Sequence, residues 1–245
     1  MAPQSRAPTI LLTRPAAQSA RFAAALTAHL PEIRIVTSPL IAPRFLSPAL
    51  PDRNWTALIL TSETAALSAQ RITADHATLP RRAFCVGDRT AATARAAGFA
   101  PLSAKGDAAA LVALILSHHP ASPLLYLHGM ESRGDIADRL ISAGIETFEA
   151  ISYAQESQDL TKEASAILTG TDPVIAAVFS PRTAEILVQE CRRIGRVAPI
   201  MIVAMSAGVA AAAAPLSGSP TIAARPDAEA MVVAVASRLA VWREP

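Results

Sequence analysis

The chain carries one pattern twice, and that repetition restricts its possible folds more than any single motif. LILTSETAAL, Leu58 to Leu67, returns as AVFSPRTAEIL, Ala177 to Leu187. The spacing of roughly 120 residues is too long for a solenoid and suits a duplicated domain. CVGDRTAATA from Cys85 has its partner in VAMSAGVAAA from Val203, and KGDAAALVAL near Asp107 has one in RPDAEAMVVAV near Asp227. The opening ILLTRPAAQSARFAAAL from Ile10 matches LLYLHGMESRGDIADRL from Leu124. Two lobes of similar design imply a cleft, and a cleft is where a ligand is expected.

Short apolar, β-branched runs alternate with Ala-rich amphipathic stretches along the chain, the pattern of a parallel sheet with crossover helices. Candidate strands begin near Ile10, Ile33, Leu58, Phe84, Pro101, Leu124, Thr147, Val174, Ile200 and Thr221, about five per lobe. Helices are expected over Ala16 to Ala28, Thr64 to Ala74, Thr90 to Ala97, Asp107 to Ser117, Asp135 to Ala143, Thr183 to Ile194 and Asp227 to Trp242. Gly98, Gly144 and Gly195 stand just past three of them, where a left-handed C-cap belongs. The proline-rich Ser38 to Asn54 and the polar Tyr153 to Glu163 look like crossings between lobes. Two crossings would let the first strand-helix-strand unit pack with the last three blocks.

Composition supports an α/β protein: 51% of residues are hydrophobic and only 4% aromatic, as buried parallel strands require. Lys and Arg number 22 against 20 Asp and Glu, too even a balance for nucleic acid, although a small polyanion remains a fitting partner. Cys85 and Cys191 make no CxxC pair and are expected as reduced, buried thiols. The opening MAPQSRAPTILLTRP has only a short apolar run, so no signal peptide and a cytoplasmic location are expected. Ile200 to Ala214 is too short and too interrupted to span a membrane, and a strand followed by a helix is expected there.

Residues with chemistry gather where strands end and helices begin: Thr13 and Arg14, Thr61 and Ser62, Gly87 to Thr90, His128 and Gly129, Ser180 to Thr183, Ser206 to Gly208. In open parallel sheets that edge faces the ligand crevice, and helix N-termini there bind carboxylate or phosphate. Ser62, Thr90, Ser180 and Ser206 could each be only an N-cap. Their recurrence at equivalent edges points to ligand contact. GxxxxGK[ST], GxGxxG, HExxH and GxSxG are absent. His118 and His119 suit a helix C-terminus, and His29, His76 and His128 make no ligand spacing, so no metal is expected. Tyr126 falls inside an apolar strand and is expected in the core. Tyr153, at a lobe junction, offers a phenol for proton donation into a cleft.

Together the blocks resemble the uroporphyrinogen-III synthase family, over nearly the whole chain. The resemblance rests on LLTRP at Leu11, LILTS at Leu58, VGDRTA at Val86, and the unit running from Leu124 through Gly129, Arg133 and Gly134 to Gly144. SYAQ at Ser152, FSPRTA at Phe179 and the final RPDAEAMVVAV complete it. It implies two flavodoxin-like lobes with parallel sheets joined by a two-stranded linker, one lobe of residues 1–37 and 155–245, the other of residues 40–152, with crossings near 38–40 and 153–155. It implies a cofactor-free, monomeric enzyme that closes linear hydroxymethylbilane in tetrapyrrole biosynthesis. The substrate hydroxyl leaves as water, the resulting azafulvene attacks the substituted carbon of the last pyrrole, and a spiro intermediate rearranges so that ring D is inverted. Tyr153 matches the family tyrosine that assists hydroxyl departure. Thr90 matches a threonine in the G-x-x-T-A turn, and Ser62 and Ser180 match strand-end serines. Eight substrate carboxylates would suit Arg14, Arg133 and Arg182 along with the hydroxyls and N–H groups at Thr61, Gly129, Ser206 and Gly208. The second copy of the turn departs from the pattern, Ser206 to Ala210 having lost both its glycine and its threonine. The competing expectation is a non-catalytic two-lobed protein that binds a small molecule or tetrapyrrole without turnover.

Overall fold

The structure, a computed structural model, describes residues 8–75, 79–131 and 134–243. The chain opens with β1 (Thr9–Leu12), α1 (Ala16–His29), β2 (Ile35–Thr37) and β3 (Ile41–Phe45). There follow β4 (Ala57–Leu60), α2 (Glu63–Asp75), β5 (Arg82–Cys85), α3 (Asp88–Ala96), β6 (Ala100–Ser103) and α4 (Ala108–Ser117). Next come β7 (Leu124–Gly129), α5 (Ile136–Ser142), the long β8 (Thr147–Ser157), α6 (Lys162–Thr169), β9 (Val174–Val178) and α7 (Pro181–Arg193). β10 (Ile200–Ala204), α8 (Ala207–Ala213), a 3-10 turn (Ala214–Leu216), β11 (Thr221–Ile222) and α9 (Ala228–Arg243) complete it. Two compact units result, one from the described residues up to Ala42 together with those from Ser157, the other from Pro43–Glu156.

In the first unit five parallel strands lie in the order β11-β10-β9-β1-β2. Their side chains alternate between faces, as strand geometry demands. Leu11, Val174, Ala176, Val178, Ile200 and Ile202 pack on one side with α6, α7 and α8. Ile10, Leu12, Ile175, Ala177, Met201 and Val203 pack on the other with α1 and α9. Burial on both faces is why β1, β9 and β10 are apolar at nearly every position. The second unit has the order β3-β8-β7-β4-β5-β6, with β8, β7, β4, β5 and β6 paired in parallel. Leu58, Leu60, Cys85 and Leu125 face α2 and α3, whereas Ile59, Phe84, Leu124 and Tyr126 face α4 and α5.

The described residues hold one strand more than the sequence pattern suggests, β3, inside the proline-rich segment. Pro43 is tolerated because β3 is an edge strand, where a missing N–H breaks no ladder on the outer side. The polar segment after Ile151 is likewise regular structure: Tyr153 to Ser157 extend β8, and Thr161 caps α6 by accepting the Ala164 N–H at 3.2 Å. Gly98, Gly144 and Gly195 adopt φ of +89°, +85° and +64°, the left-handed conformation that ends α3, α5 and α7. A bulge interrupts the β7–β8 register: His128 pairs with Ile151, but Gly129 pairs with Tyr153. The extra residue, Ser152, is fully buried; its carbonyl accepts the Ser68 hydroxyl at 3.0 Å.

Candidate active site

Each sheet has one place where successive connections leave in opposite directions, the position at which open parallel sheets are expected to form a crevice beyond the carboxyl ends of the strands. In the second unit the chain proceeds outward from β4 to β5 and β6, then returns to place β7 on β4's other side. The crevice between β4 and β7 is a pocket of about 330 Å³ lined by Thr61, Ser62, Val86, Ala108, Tyr126, Gly129, Glu131, Ile136, Tyr153 and Gln155. Thr61 and Ser62 follow β4 directly. Ser62 begins α2 and accepts the Ala65 N–H at 3.0 Å, so it is an N-cap as well as a pocket wall.

Tyr153 reaches this pocket because of the bulge. The extra Ser152 re-aims the residues after it, a known use of bulges beside functional sites. The ring then lies against Gly129: a Cβ built there would stand 2.6 Å from Tyr153 Cζ and 2.9 Å from its hydroxyl. Only glycine leaves room for the phenol, whose oxygen is 3.0 Å from Ser62 Oγ. Burial raises the Tyr153 pKa above the ordinary value of 10; the hydrogen bond with Ser62 lowers it, and the negative charge of Glu131 raises it further. At neutral pH the group is therefore a protonated phenol, able to donate. Tyr126 is in the core as expected, 5% exposed, yet its hydroxyl lies 3.3 Å from Thr61 Oγ1 at the pocket wall.

Of the residues singled out from sequence, Thr61, Ser62, Gly129 and Tyr153 share this pocket. Thr90 does not line it. It lies within α3, two residues past the first helical position, with Gly87 as the N-cap, and is 5% exposed, so it is not itself a cap. Arg14, Ser180, Arg182, Ser206 and Gly208 belong to the first unit. There β1 and β9 flank the corresponding switch point. The Arg14 guanidinium stacks 4.0 Å from the centroid of Phe179, and Ser180 caps α7 through the Thr183 N–H at 3.2 Å. Ser206 caps α8 through the Val209 N–H at 3.4 Å, so the drifted turn keeps a hydroxyl at its helix start; Gly208 and Arg182 are exposed in the first turns of α8 and α7. Arg133 and His76 lie outside the described residues. Glu131 and Gln155 were not foreseen, although Gln155 is two residues from Tyr153 on one strand and so shares its face. Glu131 follows Gly129 in the same strand-end turn and accepts the Gln155 N–H with both oxygens, at 3.1 and 3.2 Å.

A switch-point pocket with the Tyr153 phenol, strand-end hydroxyls and a helix N-terminus suits acid-assisted chemistry on an anionic substrate. The family model described as uroporphyrinogen-III synthase HemD matches residues 17–233. The chain belongs to the uroporphyrinogen-III synthase family. Its activity is accordingly that of a cyclising hydro-lyase in heme biosynthesis, closing hydroxymethylbilane with loss of water. Among solved structures, uroporphyrinogen-III synthetase from Helicobacter pylori is similar with a TM-score of 0.61 and 17% identity, over 94% of this chain and 99% of that one, which shows a shared fold. A mutant uroporphyrinogen III synthase from the extremely thermophilic bacterium Thermus thermophilus matches over 96% of this chain and 100% of its own, at 12% identity and a TM-score of 0.43, too low to add weight. No curated protein sequence matches significantly. No described helix is long and apolar enough to cross a membrane.

Proposed function

We propose that the synthase reaction begins in the β4–β7 pocket, with Tyr153 as the acid that helps the substrate hydroxyl leave. The observation that carries this is the phenol held over Gly129 and hydrogen-bonded to Ser62 at 3.0 Å. A buried phenol with a raised pKa gives up its proton only to a strongly basic group, and a departing hydroxide is one. Ser62 orients the phenol and receives part of the charge left on it. Thr61, Ser62 and Gly129 supply polar contacts within this pocket, and Thr90, Arg133, Arg14, Ser180, Arg182, Ser206 and Gly208 are further substrate-binding groups in the same proposal, suited to the eight carboxylates of hydroxymethylbilane. Ser180 is the best supported of these: it starts a 13-residue helix whose N-terminus favours anions.

The two units are, in this proposal, flavodoxin-like lobes with β3 and β8 as the two-stranded linker. Strand order supports it. The first unit runs β2-β1-β9-β10-β11, the flavodoxin order when strands are counted along the chain. Beside the edge strand β3, the second runs β8-β7-β4-β5-β6, the same order if β7 and β8 are counted first. The enzyme is taken to act as a cytoplasmic monomer on a free small-molecule substrate.

The test supplies hydroxymethylbilane to the protein and to buffer alone and separates the uroporphyrin isomers after oxidation. A type III yield above the control is expected. Type I alone, the product of spontaneous closure, overturns the assignment.

A further inference from the structure

Ser68 is a buried serine in the middle of α2, 1% exposed, among the buried apolar residues Ala65, Ala66, Ala69 and Ile72. A hydroxyl inside a helix commonly bonds back to a carbonyl of its own preceding turn, as Thr73 of α2 does to Ala69 at 2.8 Å. The Ser68 hydroxyl instead crosses 84 positions of sequence to donate to the Ser152 carbonyl at 3.0 Å. Ser152 is the extra residue of the β8 bulge, and Tyr153 follows it directly. The same carbonyl also accepts the Leu46 N–H at 2.9 Å, and the Ser152 hydroxyl donates to the His128 carbonyl at 3.3 Å. Alanine at 68 would suit the helix better and leave the Ser152 carbonyl bonded to Leu46. Neither helix formation nor hydrogen-bond satisfaction therefore accounts for the serine.

What the hydroxyl adds is a choice of register. Side chains alternate along a strand, so a bulge that closed up would shift β8 by one residue and turn the Tyr153 ring to the other face of the sheet. Pinning the carbonyl of Ser152 to a helix side chain keeps the extra residue at that position. The same helix starts at Ser62, whose Oγ is 3.0 Å from the Tyr153 hydroxyl. The Ser62–α2 segment thus grips the tyrosine at both ends, by the backbone before it and by the hydroxyl at its tip, while Gly129 leaves space for the ring. Resting on the assignment of Tyr153 above, we infer that Ser68 is a positioning residue of the reaction, which keeps the bulge at Ser152 and so holds the phenol at Ser62. Ser68 does not line the pocket and acts only through Tyr153. Proton donation requires the phenol within hydrogen-bond reach of the departing oxygen, so a misplaced phenol contributes no more than a missing one.

Steady-state kinetics and thermal unfolding compare Ser68→Ala with wild type, Tyr153→Phe and the double variant. The expected result is a folded Ser68→Ala protein whose kcat falls about threefold with little change in KM, and a double variant no slower than Tyr153→Phe alone. Turnover equal to wild type overturns the inference. So does a variant that fails to fold, or a loss repeated in full in the Tyr153→Phe background, either of which makes Ser68 a general support of the unit. A second readout needs no turnover. The chain has only two tyrosines, so tyrosine-labelled protein gives two sets of ring signals by NMR, and Tyr153→Phe identifies which set belongs to Tyr153. Ser68→Ala is expected to shift or split the Tyr153 signals, and unchanged Tyr153 signals overturn the inference. Wild type without type III product, or Tyr153→Phe with undiminished turnover, refutes the assignment on which the inference rests; the NMR comparison then still decides whether Ser68 holds the ring.

Discussion

Gly129 and Tyr153 are one device made of two residues. The glycine is required because a methyl group there would overlap the phenol ring and its hydroxyl, not because of an unusual backbone angle. Gly129→Ala must push the ring off Ser62, and we expect turnover to fall by about tenfold or more, with a stability loss of about 1–3 kcal/mol from the overpacking. Tyr153→Phe should lower turnover several-fold while leaving the folded state intact, because the ring still packs and only the proton is lost. Steady-state kinetics beside thermal unfolding of both variants checks this, and equal stability losses in the two would contradict it. The raised Tyr153 pKa sets the alkaline limit: the phenol stays protonated until above about 10, so activity should not decline through ionisation of this group in the neutral range.

At the scale of elements, caps, a bulge and a latch decide where side chains point. Glu190 of α7 accepts the Leu160 N–H at 2.8 Å and binds Arg193 at 2.7 and 2.6 Å, which fixes the approach to α6. The Arg193 hydrogen bond holds the Glu190 carboxyl below its ordinary value of 4.5, so the folded state prefers it ionised. Its contribution to stability is present above the unfolded-state pKa and is lost as pH falls through the lower folded value. Glu190→Gln should therefore destabilise the protein by about 1–3 kcal/mol at pH 7, and the difference from wild type should shrink below about pH 4. Denaturant unfolding at both pH values measures it. Helices with strong periodicity were legible in the sequence to within two or three residues at each end. The bulge at Ser152 was not, because nothing local distinguishes an extra residue in a strand from a paired one. β3 was hidden by its own proline, and α6 by its short, polar start.

At the scale of the molecule, duplication places a switch point in each unit from matching sequence blocks: β4 and β7 in one, β9 and β1 in the other. One thiol sits in each unit, Cys85 on β5 and Cys191 on α7, and burial pushes both up to about 11. The folded state thus retains protons that the unfolded chain gives up near 9, and the stability this brings is lost as pH rises toward 11. An aromatic disulfide reagent at about pH 8 should label neither cysteine in the folded protein and both once denaturant unfolds it; labelling without denaturant would show that the cores open.

The sequence by itself determined the strand-helix alternation, the repeat, the family and the strand-end residues, because periodicity and motif order are properties of neighbouring positions. Tertiary structure alone decided which of those residues meet. Thr61, Ser62, Gly129 and Tyr153 come from three strands separated by most of a unit, and Thr90, equally suggestive in sequence, is turned into the helix packing of α3. The phenol's position depends on one extra residue in β8 and one missing side chain on β7. Such a juxtaposition is set by register between distant strands, and register is fixed only when the sheet assembles.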